Sequence, residues 1–172
     1  DDSGGVYGQV VREVIMAKGG HCHNPLSGSG YLNTEHVERY KFALEQLNGG
    51  DTVLDIACGA GYGTALLSRF GCTAIGMDVE AEIIQRNRRR WNTGIFRRGD
   101  AEDLPCGSER FDGVVSFETI EHCIEEARFM SEMKRVLKPG GLLLCSTPNV
   151  AYTRCIGKSG SGHTREYSPQ GF

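Results

Sequence analysis

Thr52 to Phe70 reads Thr-Val-Leu-Asp-Ile-Ala-Cys-Gly-Ala-Gly-Tyr-Gly-Thr-Ala-Leu-Leu-Ser-Arg-Phe. An apolar run (Val53, Leu54, Ile56, Ala57) carries one acid, Asp55, and breaks into Gly59, Gly61 and Gly63. Apolar residues then recur at helical spacing through Ala65, Leu66 and Phe70. That pattern is a buried strand, a glycine turn and a helix N-terminus, the unit that lets a backbone approach a nucleotide closely. Glycine is needed there because a Cβ would strike the ligand and because tight turns often require φ > 0. A carboxylate inside the strand is costly unless paired. Asp55 is therefore expected to accept hydrogen bonds from the glycine loop, or to hold a ligand's ammonium through water. A dinucleotide fingerprint wants G-x-G-x-x-G, but counting from Gly59 the third glycine position is Thr64. That pattern fails, and a nicotinamide-dependent oxidoreductase is disfavoured.

Working outward, Asn33 or Thr34 caps a helix to about Leu47, with Glu35 and Glu38 in the first turn, where the helix dipole favours them. Val37, Tyr40, Leu44 and Leu47 form its apolar stripe, and Gly49-Gly50 end it. After the helix Tyr62–Phe70, Thr73–Met77 read as a second strand ending at Asp78. Glu80–Trp91 form a helix, Gly94–Arg98 a third strand and Gly113–Phe117 a fourth. A helix from about Glu125 to Leu137 stops at Lys138-Pro139-Gly140-Gly141, before a fifth strand, Leu142–Ser146. Strands alternating with helices of about 10–15 residues mean βαβ units and a parallel sheet. Residues 1–32 are Gly-rich and weakly patterned, and are expected to form an arm or lid on a domain spanning 33–172.

The chain's 172 residues fit one domain, and its net charge of −3 does not mark a polyanion-binding protein. No apolar run approaches the roughly 18–20 residues of a membrane helix, and no signal peptide opens the chain. Its seven cysteines, several inside α/β elements, read as reduced thiols of a cytoplasmic protein. His21-Cys22-His23 lacks the second ligand pair of a zinc site, so no metal is expected. Arg86, Arg88, Arg89, Arg90, Arg97 and Arg98 form a basic cluster that would suit RNA phosphates. A solvated outer face at the strand-three edge is the preferred account.

In open α/β sheets, ligands bind beyond the carboxyl ends of the strands. Those ends carry the glycine loop, Asp78, Asp100-Ala101 and Phe117-Glu118. Asp55 through Gly61 resembles motif I of class I S-adenosylmethionine-dependent methyltransferases, D-x-G-x-G-x-G, with Ala57 in place of the first glycine. Gly99-Asp100-Ala101-Glu102-Asp103-Leu104-Pro105 resembles that family's adenine loop. Phe117-Glu118-Thr119-Ile120-Glu121-His122 resembles its segment after strand four. Arg135 through Gly141 resembles the turn into its fifth strand. The resemblance implies a Rossmann-like α/β sheet of strand order 3-2-1-4-5, with S-adenosylmethionine as cofactor. It implies that Asp78 binds ribose and Asp100 adenine. Asp55, Ala57, Cys58, Gly59, Gly61, Val79, Ala101, Glu102, Phe117, Glu118 and Tyr40 complete the implied cofactor pocket.

Ser146-Thr147-Pro148-Asn149, with His163-Thr164-Arg165-Glu166-Tyr167-Ser168-Pro169, resembles the ubiquinone-type and glycan O-methyltransferase subgroup. Glu35-His36-Val37-Glu38-Arg39-Tyr40 resembles the same subgroup's first helix, in which Arg39 or Tyr40 would reach the cofactor carboxylate. The implied acceptor is a small-molecule hydroxyl, on a sugar or glycan ahead of a quinone-like phenol. His122 and His163 are the candidate bases. The N/D-P-P-Y phrase of enzymes that methylate amine nitrogens is missing after strand four. The family's antiparallel edge hairpin has no counterpart before Phe172, so a homodimer covering the strand-five edge is expected. An RNA-directed enzyme using the Arg86–Arg98 patch, and a non-catalytic cofactor-binding module, are the alternatives.

Overall fold

The computed structural model describes residues 34–149 together with 167 and 168. The expected arm over 1–32, His21-Cys22-His23 and His163 lie outside the described residues. Five strands, β1 (Thr52–Ile56), β2 (Thr73–Asp78), β3 (Ile95–Arg98), β4 (Phe111–Phe117) and β5 (Leu137–Ser146), form one sheet of order β3-β2-β1-β4-β5. Every pairing in it is parallel. The central strands β1 and β4 are buried almost throughout, as a sheet covered on both faces requires.

Helices α1 (Thr34–Gln46), α2 (Tyr62–Arg69) and α3 (Ala81–Arg90) pack on one face of the sheet. Tyr40, Ala43, Leu66, Leu67 and Ile84 meet Val53, Phe96 and Val115 there. Helix α4 (Glu126–Val136) packs on the other face, and its Phe129, Met133 and Val136 are wholly buried against Leu54, Ile56 and Val114. Each such side chain contributes about 1.5–3 kcal/mol of burial. Tyr167 returns to this cluster and bridges Asn149 in parallel.

Two boundaries differ from the sequence reading by more than one residue. The fourth strand begins at Phe111 rather than Gly113, and the fifth at Leu137 rather than Leu142. The last carbonyls of α4 explain both: Arg135 O and Val136 O accept from the N–H groups of Glu109 and Arg110. Phe111 and Leu137 are thereby brought into register as soon as the helix ends. Lys138 to Gly141 then absorb a register shift, with Gly140 at φ 78°, instead of forming a separate turn. Lys138 closes this end by reaching both oxygens of Asp112 at 2.8 Å, while Thr52 N–H donates to Asp112 at 2.9 Å. The Lys138 ammonium holds the Asp112 carboxyl below its ordinary range.

Candidate functional site

The carboxyl ends of the strands converge on Asp55. It is 1 % exposed, and its oxygens accept from Tyr40 Oη at 2.8 Å and Thr64 Oγ1 at 2.6 Å. The sequence predicts donors from the glycine loop, or a ligand's ammonium held through water; the two side-chain donors come instead from α1 and α2. Burial outweighs these two hydrogen bonds and pushes the Asp55 carboxyl up to about 6. Tyr40, whose hydroxyl is raised by the same burial, stacks edge-on with Phe117 at 5.0 Å and Tyr62 at 5.5 Å. A Cβ on Gly63 would stand 2.0 Å from the Tyr40 ring, so that glycine admits α1 to the site.

The loop beyond β1 is left-handed at three alternate positions, Ala57 (φ 54°), Gly59 (φ 49°) and Gly61 (φ 74°). Its backbone is held from α3, since Asn87 Nδ2 donates to Gly59 O at 2.7 Å and Trp91 Nε1 to Ala60 O at 2.8 Å. The sequence alone gives Trp91 only as the end of a helix and Thr64 only as the residue that breaks the dinucleotide fingerprint, and it does not single out Asn87. The available signal was chemical: a buried acid needs donors, and a buried indole usually finds an acceptor.

Asp78 lies buried at the end of β2 and ties two backbones together. Its Oδ2 accepts from Gly59 N–H and its Oδ1 from Glu80 N–H, both at 3.0 Å. A carboxylate offers about four lone-pair sites, so acceptor capacity remains for a ligand. Beside it, Val79 is 54 % exposed. Asp100 is exposed in a short turn, accepting from Glu102 N–H at 2.9 Å. The Glu102 carboxylate is directed to the start of α4, where it accepts from the N–H groups of Ile124 at 2.5 Å and Glu125 at 3.0 Å. Ala101 packs partly buried against the α4-side core.

At the end of β4, Glu118 adopts φ 55°, a left-handed conformation that costs a non-glycine residue about 1–3 kcal/mol. It is held there by Ser146 Oγ at 3.0 Å and Arg39 Nη2 at 3.1 Å. The other guanidinium nitrogen, Arg39 Nη1, is buried without a hydrogen-bond partner among the described residues. It is a donor of the kind a ligand carboxylate satisfies. Tyr40 and Arg39 thus take different acceptors, Asp55 and Glu118. A hollow of about 380 Å³ opens beside Arg39, walled by Phe42, Phe117, Leu144 and Cys145. Within the 3₁₀ turn Ile120–His122, His122 is exposed. Its neighbour Glu121 is buried, accepts from Thr147 Oγ1 at 3.1 Å and is raised by that burial.

A parallel sheet of order 3-2-1-4-5, with a left-handed glycine loop facing a carboxylate at the end of β2, defines the class I methyltransferase fold. The chain belongs to the methyltransferase-domain family, whose model matches residues 54–145. S-adenosylmethionine is the cofactor that this family and fold imply. The chain is 36% identical over 124 residues to a probable S-adenosylmethionine-dependent methyltransferase of Mycolicibacterium smegmatis, covering 72% of this chain and 48% of that protein. It is 32% identical over 135 residues to a ubiquinone biosynthesis O-methyltransferase of Dinoroseobacter shibae, covering 75% and 54%. The chain therefore spans about half the length of these relatives. Among solved structures, the [4+2]-cyclase SpnF superposes with a TM-score of 0.61 at 25% identity, over 81% of this chain and 57% of that one.

Proposed function

We propose that the chain binds S-adenosylmethionine in the crevice at the carboxyl ends of β1, β2 and β4 and directs its methyl group to a small-molecule hydroxyl. The observation that carries this reading is Asp78, fixed through Gly59 N–H at the mouth of the glycine loop with acceptor capacity to spare. In this reading Asp78 accepts the ribose hydroxyls, Val79 and Phe117 flank adenine, and Asp100 accepts the adenine amine beside Ala101 and Glu102. Ala57, Cys58, Gly59 and Gly61 turn their backbone around the methionine tail. The free nitrogen of Arg39, tethered by Glu118, takes its carboxylate, while Asp55 and Tyr40 brace the loop from behind.

When bound, the cofactor would supply an electrophilic methyl on a sulfonium, which the acceptor oxygen would take in line as the sulfur leaves as a neutral thioether. The chain's own work is to hold the acceptor oxygen about 3 Å from that carbon and to exclude water. His122 is the proposed base, with His163 as second candidate. The apolar hollow walled by Phe42 and Phe117 suits a ring hydroxyl better than a polyhydroxylated sugar, which would leave its polar groups unpaired. That observation moves a quinone-like phenol ahead of a glycan, and the likeness to a ubiquinone O-methyltransferase supports the same order.

Calorimetry with S-adenosylhomocysteine tests the reading. Micromolar binding is expected, falling at least about tenfold in Asp78→Ala, with no heat from NAD. Folded protein that binds nothing would overturn it. Labelled methyl transfer to phenols then separates an enzyme from a cofactor-binding module, a rival kept open because SpnF, a cyclase by name, shares the fold. Transfer that survives both His122→Ala and His163→Ala would remove the proposed bases.

An RNA-directed role draws less support. Arg88 donates to Phe96 O, Arg98 to Val79 O, and Arg90 lies 5.1 Å from the Trp91 ring centre, so half of the cluster serves the fold. No helix among the described residues is long and apolar enough to cross a membrane. Cys58, Cys72, Cys106 and Cys145 are free thiols there, which supports a reducing, cytoplasmic setting checked by fractionation. Pairing of β5 edges in a homodimer is the proposed assembly, and sedimentation of the purified chain checks it.

A further inference from the structure

Residues 99–110 join β3 to β4 without a helix, and this crossover lies along α4. Gly99 N–H donates to Asp78 O at 3.0 Å, which sets its start against the end of β2. Arg135 donates to Cys106 O at 2.7 Å and to Leu104 O at 3.1 Å, and Glu132 accepts from Leu104 N–H at 2.7 Å. Those contacts hold the crossover to the later turns of α4. Glu102 holds it to the beginning: one oxygen, Oε1, accepts from Ile124 N–H at 2.5 Å and Glu125 N–H at 3.0 Å. Glu125 caps α4 without a side-chain cap bond of its own, so a residue 23 positions away supplies an acceptor at the helix start.

The two N–H groups lie just beyond His122, at the exit of the 3₁₀ turn Ile120–His122. Other contacts hold that turn from the β5 side. Glu118, before it, meets Ser146 and Arg39, and Glu121, within it, meets Thr147. Of these anchors, Glu102 is the one that leads back to the position proposed for adenine. Its own N–H donates to Asp100 Oδ1 at 2.9 Å, and Asp103 N–H closes the same turn on Asp100 O at 3.1 Å. Whatever fixes the Asp100 carboxylate therefore fixes the backbone that carries the Glu102 side chain.

We propose that Glu102 is a positioning residue: it carries occupancy of the adenine position to the turn that bears His122, so that the acceptor side is ordered once the cofactor is seated. The proposal rests on the cofactor reading given above. An amine held by Asp100 restricts residues 100–103. The ordering of that turn is then already met, and the Glu102 bonds to Ile124 and Glu125 form at smaller entropic cost. Such coupling serves a displacement in which methyl and acceptor must be aligned together. It is reciprocal, so an acceptor that orders the turn must in return tighten cofactor binding.

Amide hydrogen exchange followed by NMR on the whole chain tests this, without ligand and at S-adenosylhomocysteine concentrations that saturate each variant by calorimetry. The readout is the His122 and Cys123 amides, which donate to Thr119 O and Ile120 O and not to Glu102. In the wild type the ligand is expected to slow their exchange at least about fivefold. In Glu102→Ala that slowing should vanish, and Glu102→Gln, whose amide oxygen still accepts, should restore most of it. Glu102 lies outside both cores, so its variants keep the fold. Thr147→Ala loosens the same turn from the β5 side; both of its rates should rise while their ratio is kept. A ratio lost equally in Thr147→Ala would reduce Glu102 to one brace among several and overturn the proposal. So would wild-type binding without slowing, or an undiminished ratio in Glu102→Ala, and in each of these cases the cofactor reading stands. Loss of the ligand in Glu102→Ala alone would make Glu102 a cofactor ligand and also overturn the proposal. Wild type that binds no S-adenosylhomocysteine would instead remove the cofactor reading, and this proposal with it.

Discussion

Asp55 joins three elements through one carboxylate, and its protonation registers in stability. Its folded value, raised from 3.8 to about 6, means the folded chain holds that proton more tightly than the unfolded chain. The contribution is complete below about pH 3.8 and is lost as pH climbs through about 6. Two units correspond to about 3 kcal/mol. Denaturant titrations of wild type and Asp55→Asn should show the wild type's relative stability falling by about that amount between pH 4 and 7. A gap that does not change with pH would refute the assignment. Ala57 presents a separate cost. At φ 54° its Cβ crowds the following carbonyl, a strain of about 1–2 kcal/mol that glycine relieves while losing some chain entropy. Ala57→Gly is expected to gain about 0.5–1 kcal/mol in unfolding free energy. A loss would mean that the methyl makes a contact outweighing the strain.

At the scale of elements, α1 matters through how closely it lies to α2. Tyr40 reaches Asp55 because Gly63 has no side chain. Gly63→Ala places a methyl inside the tyrosine ring and must displace either the ring or the helix. Overpacking of this kind costs about 1–3 kcal/mol. The same variant should weaken S-adenosylhomocysteine binding, because α1 also carries Arg39 to Glu118. Unchanged denaturation and unchanged binding would show that α1 is not held at this point. Helix α3 acts on the opposite flank, where Asn87 and Trp91 fasten the carbonyls of the glycine loop. The loop is thus clasped between two helices before any ligand arrives, which reduces the ordering cost of binding.

At the scale of the whole molecule, the two sheet faces are unequally covered. Three helices attend the face that braces the glycine loop, while the other has one helix and an irregular crossover. That inequality leaves a hollow on the second face, lined by Ile75, Met77, Pro105 and Phe111. The arginines of α3 and β3 divide in the same way, some binding the backbone and others facing outward. A count of basic residues could not have separated them. Guanidinium groups spent on carbonyls become visible only once strand and helix lie side by side.

The parallel sheet, the glycine loop and the acids at the strand ends were legible in the chain, and the strand order was what the resemblance to class I methyltransferases implied. Alternation of apolar runs with helical spacing is local, and parallel crossovers leave few topologies. The element types followed, with end errors of a few residues where Arg135 O and Val136 O found acceptable donors across the sheet. Partners of buried groups were not legible. Thr64 is nine residues from Asp55, Asn87 is 28 from Gly59 and Trp91 is 31 from Ala60, and nothing local links them. Sequence by itself determined which backbone was built and which residue types stand at its ends. Tertiary structure alone decided which donor met which acceptor, because a buried polar group takes whatever partner the packing brings within about 3 Å.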